Sequence, residues 1–268
     1  MIKYNFWLCY SIILFLLIFP ITTRAKTNYE SLHTGHDIIA KYECGKQGYQ
    51  AISKDGYGGY SYGKWQISTQ RRNSLPSTFD FFLTYLKDKN YKYYDILIKA
   101  GGYEAAYAGN TYFIKVWKRI ANQKSFRNSY DRFLLEKEII PVYTRMDKNG
   151  NINFDKITTW ASEDNAIQAA VKSTIIQHGQ GGAYKIFQEV CFKEKNFTKE
   201  KFLKKLYAHR LNKFPKHKRR YHAEYNDLQN YLLSGKSIII NVEKNKEVKV
   251  TKVKNPDSFW HKLVKMFS

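Results

Sequence analysis

Two carboxylic acids stand twelve residues apart in "KYECGKQGYQAISKDGYGGYSYGKWQIS", residues 41–68: Glu43 and Asp55. Paired carboxyls suit glycoside hydrolysis, where one protonates the leaving oxygen and the other, ionised, activates water or stabilises the sugar cation. Glu43 falls at the end of a short apolar-periodic stretch, where a helix C-terminus concentrates negative potential and disfavours the carboxylate. Burial against the Tyr and Trp of the same segment would disfavour it further, as a general acid requires. Asp55 falls on a Gly-rich turn, where water keeps it ionised. On spacing alone, an ordinary helix-end glutamate and an ordinary turn aspartate is the simpler reading. The surrounding residues have to decide.

Other chemistries find less support. "DKNGNINFD" begins like a calcium loop, but the sixth and twelfth positions are Ile152 and Thr158 in place of Gly and Glu. Asn149-Gly150 reads instead as a hairpin turn. His33 and His36 lack further ligands at metal spacing, and no His-Glu-x-x-His occurs, so neither a metal nor a cofactor is expected. No Gly-x-Ser-x-Gly elbow is present. Cys44 with a distant His178 has no local signature of a cysteine hydrolase. His178, in "QHGQGG", reads as a residue tying down a helix end. Arg210, Arg219 and Arg220 either meet carboxylates of a substrate or form a solvated face.

The elements that must position Glu43 and Asp55 are legible. Thr34 to Asp37 looks like a helix start, Ile38, Ile39 and Tyr42 supply an apolar face, and Gly45 is a stop. Glu43 then lies in the last turn. Residues 51–52 and 60–68 alternate as short strands about the "KDGYGG" turn. From Phe79 onward, apolar residues recur at three- and four-residue steps through a series of helices. The fold class is therefore mainly α (α+β), with a small β element after the first helix. After Gly235 the composition changes, and residues 236–268 read as a basic tail. No fixed-period repeat occurs.

At 268 residues and 43% hydrophobic content the chain suits one large domain. A net charge of +22 points to a polyanionic partner. Residues 1–25 have the anatomy of a signal peptide: an early Lys3, an apolar run from Phe6 to Ile21, and small residues before Lys26. That run is short for a bilayer span, which wants roughly 20 residues. The chain is thus expected to be exported to the periplasm or beyond. Cys9 lies in this leader. Cys44 and Cys191 can then form one disulfide in an oxidising compartment, the alternative being two buried thiols.

The segment around the carboxyls resembles the lysozyme-like superfamily, in which a helix-end Glu precedes a β-hairpin. Phage-type members follow it with Asp and then Thr, and Glu43, Asp55 and Ser61 keep that order. "SYGKWQI" resembles the Gly-x-x-Gln segment that lines the sugar groove of lytic transglycosylases. The whole is most similar to the chitosanase-like muramidase domains of type VI secretion spike proteins and some phage lysins. Their pattern is Glu-Ser-Gly, a spacer, Asp, then Gly-Gly-x-Ser-Tyr-Gly-x-x-Gln. Later helical segments extend the resemblance over about residues 30–235. It implies Glu43 and Asp55 as catalytic residues and Ser61, Tyr62 and Gln66 as substrate-binding ones. Cys44 departs from the pattern's Ser, and two residues instead of one separate Asp55 from Gly58-Gly59.

The resulting expectation is an exported muramidase that cuts peptidoglycan glycan strands as a monomer. A lytic transglycosylase or a chitosanase would use the same fold. A basic envelope- or nucleic-acid-binding protein without catalysis is the reading from another class. Chitosan, a polycation, would be repelled by so basic a chain, whereas peptidoglycan is anionic. The basic residues form no stripe and no nucleic-acid motif, so nucleic acid is not expected. A secretion-system or inhibitor partner is left open.

Overall fold

The computed structural model describes residues 37–71, 73–192 and 194–234. The signal segment, the Thr34 cap and the basic tail lie outside the described residues. Helix α1 (Asp37–Glu43) ends at Glu43, as its pattern predicts. A short 3₁₀ turn (Gly48–Gln50) leads into three antiparallel strands, β1 (Ile52–Lys54), β2 (Tyr60–Tyr62) and β3 (Ile67–Ser68), in the order β1-β2-β3. The stretch 60–68, read as one strand, is therefore two. The turn at Gly63–Gln66 folds back because Gly63 has φ +78° and sits against the Tyr130 ring, which a Cβ would meet at 2.7 Å.

Helices make up the rest: α2 (Thr78–Lys89), α3 (Tyr91–Lys99), α4 (Gly102–Ala108), α5 (Thr111–Ala121) and α6 (Lys124–Phe133). A π-helical turn (Leu134–Ile139) joins α6 to α7 (Ile140–Asn149), followed by α8 (Ile152–Glu163), α9 (Asn165–Cys191), α10 (Lys199–Lys213) and α11 (Lys218–Ser234). Side-chain oxygens cap several starts, where helix N–H groups lack partners. Ser77 and Asp80 form a capping box on α2, and Asn110, Asn151, Asp164 and Thr198 cap α5, α8, α9 and α10. Asn149-Gly150 is not a hairpin turn. Gly150 (φ +80°) ends α7 in the left-handed conformation, because the preceding residues carry a helical apolar face (Val142, Tyr143, Met146).

The core has two connected parts. An aromatic cluster of Tyr62, Phe79, Phe82, Phe113, Trp117 and Phe126 holds the sheet against α2, α5 and α6. Helix α9 runs through the other part, and residues 166–175 are buried on every face. A helix apolar all round belongs inside a core. It carries polar residues there as well: Lys172 donates to Gln168 at 3.3 Å, and burial lowers its ammonium to about 7.

Candidate active site

Helix α1 brings Glu43 to its own end, but α11 decides how the side chain is held. The Arg220 guanidinium donates a hydrogen bond to Glu43 Oε1. Tyr42 donates to Asp227 at 2.5 Å, and Lys41 pairs with the same carboxylate. Residues 220, 224 and 227 lie on one face of α11, at steps of four and three. Behind Arg220, the fully buried Glu224 lies 3.6 Å from Arg220 Nε and 3.8 Å from Arg210, with Tyr207 beside it. Arg210 also donates to Ser173 and Gln177, at 3.1 and 2.6 Å. Burial alone would loosen the Arg220 proton, yet Glu43 and Glu224 outweigh it and raise its affinity.

Alternating cations and carboxylates thus run from the core to Glu43. The helix-end field considered from the sequence is only half of its surroundings. A nearly buried cation supplies the other half. Arg210 is fully buried and Arg220 is partly buried in ion pairs, so neither belongs to a solvated face, and of the three arginines only Arg219 is exposed.

Asp55 follows β1 and is fixed by the sheet. Cross-strand register places Ser53 opposite Ser61, and Ser61 opposite Ser68. Side chains two residues apart share a face, so Asp55 continues the face of Ser53. There Ser61 donates to its carboxylate, 2.9 Å from either oxygen, and Ser68 donates to Oδ2 at 2.9 Å. The Asp55 N–H donates to Gly59 O at 3.1 Å, closing the hairpin. Ser61 is only 5% exposed. Its hydroxyl is committed to Asp55, so it orients that carboxylate and is not placed to bind sugar directly.

The same alternation corrects Tyr62. One residue from Ser61, it points to the opposite face, is wholly buried among Phe79, Phe113 and Trp117, and donates to Ala106 O at 2.7 Å. It cannot meet a substrate. Trp65 is likewise core, its indole donating to Asp131 at 3.1 Å, so it forms no wall over Glu43. Gln66 remains partly exposed beside the sheet. It has φ +51°, donates to Gly63 O at 2.8 Å and accepts from Ser53.

No disulfide joins Cys44 and Cys191; both are thiols. Cys191 is buried at the end of α9, and burial pushes its thiol well up. Cys44 donates to Ala40 O at 3.1 Å, back along α1. The cysteine count allowed a bridge that the structure does not form.

His178 has the structural place expected of it. It lies before Gly179, where α9 breaks (φ +67°, ψ 174°), and stacks on Phe214 at 4.4 Å. Burial, with positive charge from Arg210 adding, pushes its imidazole from 6.5 down to about 3. The unfolded chain therefore takes up a proton that the folded chain refuses. This contribution to stability is complete above pH 6.5 and is lost as pH falls towards about 3. Thermal melts should show His178→Gln losing less Tm than the parent across that window. Parallel curves would contradict the assignment.

A helix-end glutamate and a hairpin aspartate, each anchored by its own polar partners, belong to a mainly helical protein with a small antiparallel sheet. Residues 36–236 match the family described as type VI secretion system spike protein VgrG3-like, C-terminal, and the chain belongs to that family. No curated protein matches it. Among solved structures, native chitosanase from Bacillus subtilis MY002 is similar at 19% identity and a TM-score of 0.47. A mutant of that chitosanase complexed with 6 GlcN is similar at 20% identity and 0.48. Each covers 81% of this chain and 91% of its own.

Proposed function

We propose that the protein is an exported glycoside hydrolase that cuts the glycan strands of bacterial peptidoglycan, working in the periplasm or outside the cell. Glu43 protonates the leaving oxygen. Asp55, held by Ser61 and Ser68, takes a proton from the attacking water. Gln66 contacts the sugar from the edge of the sheet. The observation that carries this is the pair of carboxyls presented by adjoining elements, each with dedicated partners. An aspartate fixed by two hydroxyls favours water as the nucleophile over a mechanism that needs only the acid.

The charge of +22 favours an anionic glycan over chitosan. Mass spectrometry of products from purified peptidoglycan tests the proposal. Reducing ends are expected; anhydro ends would make the protein a lytic transglycosylase, and products from chitosan alone would make it a chitosanase. Cleavage of intact wall should also weaken with salt more than cleavage of short fragments, because screening acts over about 8–10 Å near physiological ionic strength. Equal salt profiles would remove charge from the account.

A further inference from the structure

A cavity of about 730 Å³ opens beside the end of α1, lined by Cys44 and the 3₁₀ turn, by Lys64 of the β2–β3 turn, and by the α5–α6 junction. Lys46, Lys64, Lys124 and Arg127 face it, with Gln50 and Asn122 bonded to each other at its edge. Among the described residues no Asp or Glu lines it. Asp131 lies behind, engaged by the Tyr49 hydroxyl and the Trp65 indole. The Tyr49 ring holds two of the cations in place, with Lys64 Nζ 5.5 Å and the Arg127 guanidinium 5.7 Å from its centroid.

Cations gathered around a cavity repel one another, and an anionic group with hydrogen-bond acceptors relieves that repulsion. Cys44, which lines the cavity, follows Glu43 in the chain, so the cavity adjoins the end of α1 that carries the proposed acid, although Glu43 itself is turned to Arg220. We infer that this cavity is a subsite for a carboxylate-bearing substituent of the glycan, such as the peptide stem of peptidoglycan. It admits acidic strands and repels amino-sugar polymers. The inference rests on the glycan-cleaving reading of Glu43 and Asp55 and adds the chemistry of what the site selects.

The test measures binding to the full chain made inactive by Glu43→Gln, with Asp55→Asn as a second inactive background. The probes are a soluble disaccharide-peptide fragment with free carboxylates and the same fragment methylamidated. At low salt the free acid should bind about tenfold more tightly, the scale of a charge pair across an interface. Lys46→Glu/Lys124→Glu, both at exposed positions, should erase that preference. The bound acid should also slow alkylation of Cys44, followed by peptide mass spectrometry.

Equal affinities, no binding of either fragment, a preference that survives charge reversal, or binding without protection of Cys44 would each overturn the subsite. Wild-type cleavage of wall is scored separately. Carboxylate-dependent binding without cleavage refutes the hydrolase and keeps the subsite, whereas cleavage with carboxylate-blind binding does the reverse.

Discussion

Glu43→Gln should lower kcat on peptidoglycan by about 10³-fold or more, within the range that a positioned proton donor contributes. Glutamine keeps the length and can still accept from Arg220, but it cannot protonate a leaving sugar oxygen. Asp55→Asn should cost about 10²-fold or more if Asp55 takes a proton from water. The asparagine amide would also face the Ser61 and Ser68 hydroxyls that now donate to a carboxylate. Ser61→Ala should cost less, about tenfold, since Ser68 still holds Oδ2. A water between the two carboxyls also predicts inversion at the anomeric carbon. Single-turnover kinetics on the three variants, with NMR of the first-formed anomer, measure all of this. Near-normal activity in Asp55→Asn, or a retained anomer, would leave Glu43 as the sole participant and return the chemistry to a transglycosylase.

Glu224→Gln should give the largest loss of stability outside the apolar core. Its carboxylate is fully buried between Arg210 and Arg220, and removing one partner of a buried ion cluster typically costs about 3–5 kcal/mol. For a domain of this size, that corresponds to a Tm lower by about 10 °C. Activity should fall as well, because Arg220 loses the anchor that aims it at Glu43. A compensated variant, Arg210→Met/Glu224→Leu, separates the two effects. It removes a buried cation together with its counter-charge, which is often tolerated, so much of the lost Tm should return while kcat stays low. If Glu224→Gln melted within a degree of the parent, the cluster would not be a structural anchor. If the compensated variant recovered full kcat, it would not position Glu43.

The order of elements was legible because it depends on short-range chemistry. Apolar residues at helical steps, the Gly45 stop and the Gly-rich turn all act over a few residues. They sufficed to end α1 at Glu43 and to place Asp55 on a hairpin. Alternation in Tyr60-Ser61-Tyr62 also carried the information that Ser61 and Tyr62 face opposite ways. Which face meets the core was not written there, and α2, α5 and α6 decided it by packing aromatic rings on Tyr62.

The partners of Glu43 were beyond local reach. Arg220 is 177 residues away in the chain, and "RRYHAEYND" shows only that charges at 220, 224 and 227 share a helix face. Docking α11 against α1 turned that face inward, where desolvation makes each buried charge depend on its neighbour. The basic cavity likewise exists only because the turns after α1 and β2 meet the α5–α6 junction. Sequence alone determined which residues could carry charge and which local structures they would sit in. Only the tertiary structure decided which charges are paired and buried, and which line a cavity, because desolvation and Coulomb pairing act between segments brought together by packing.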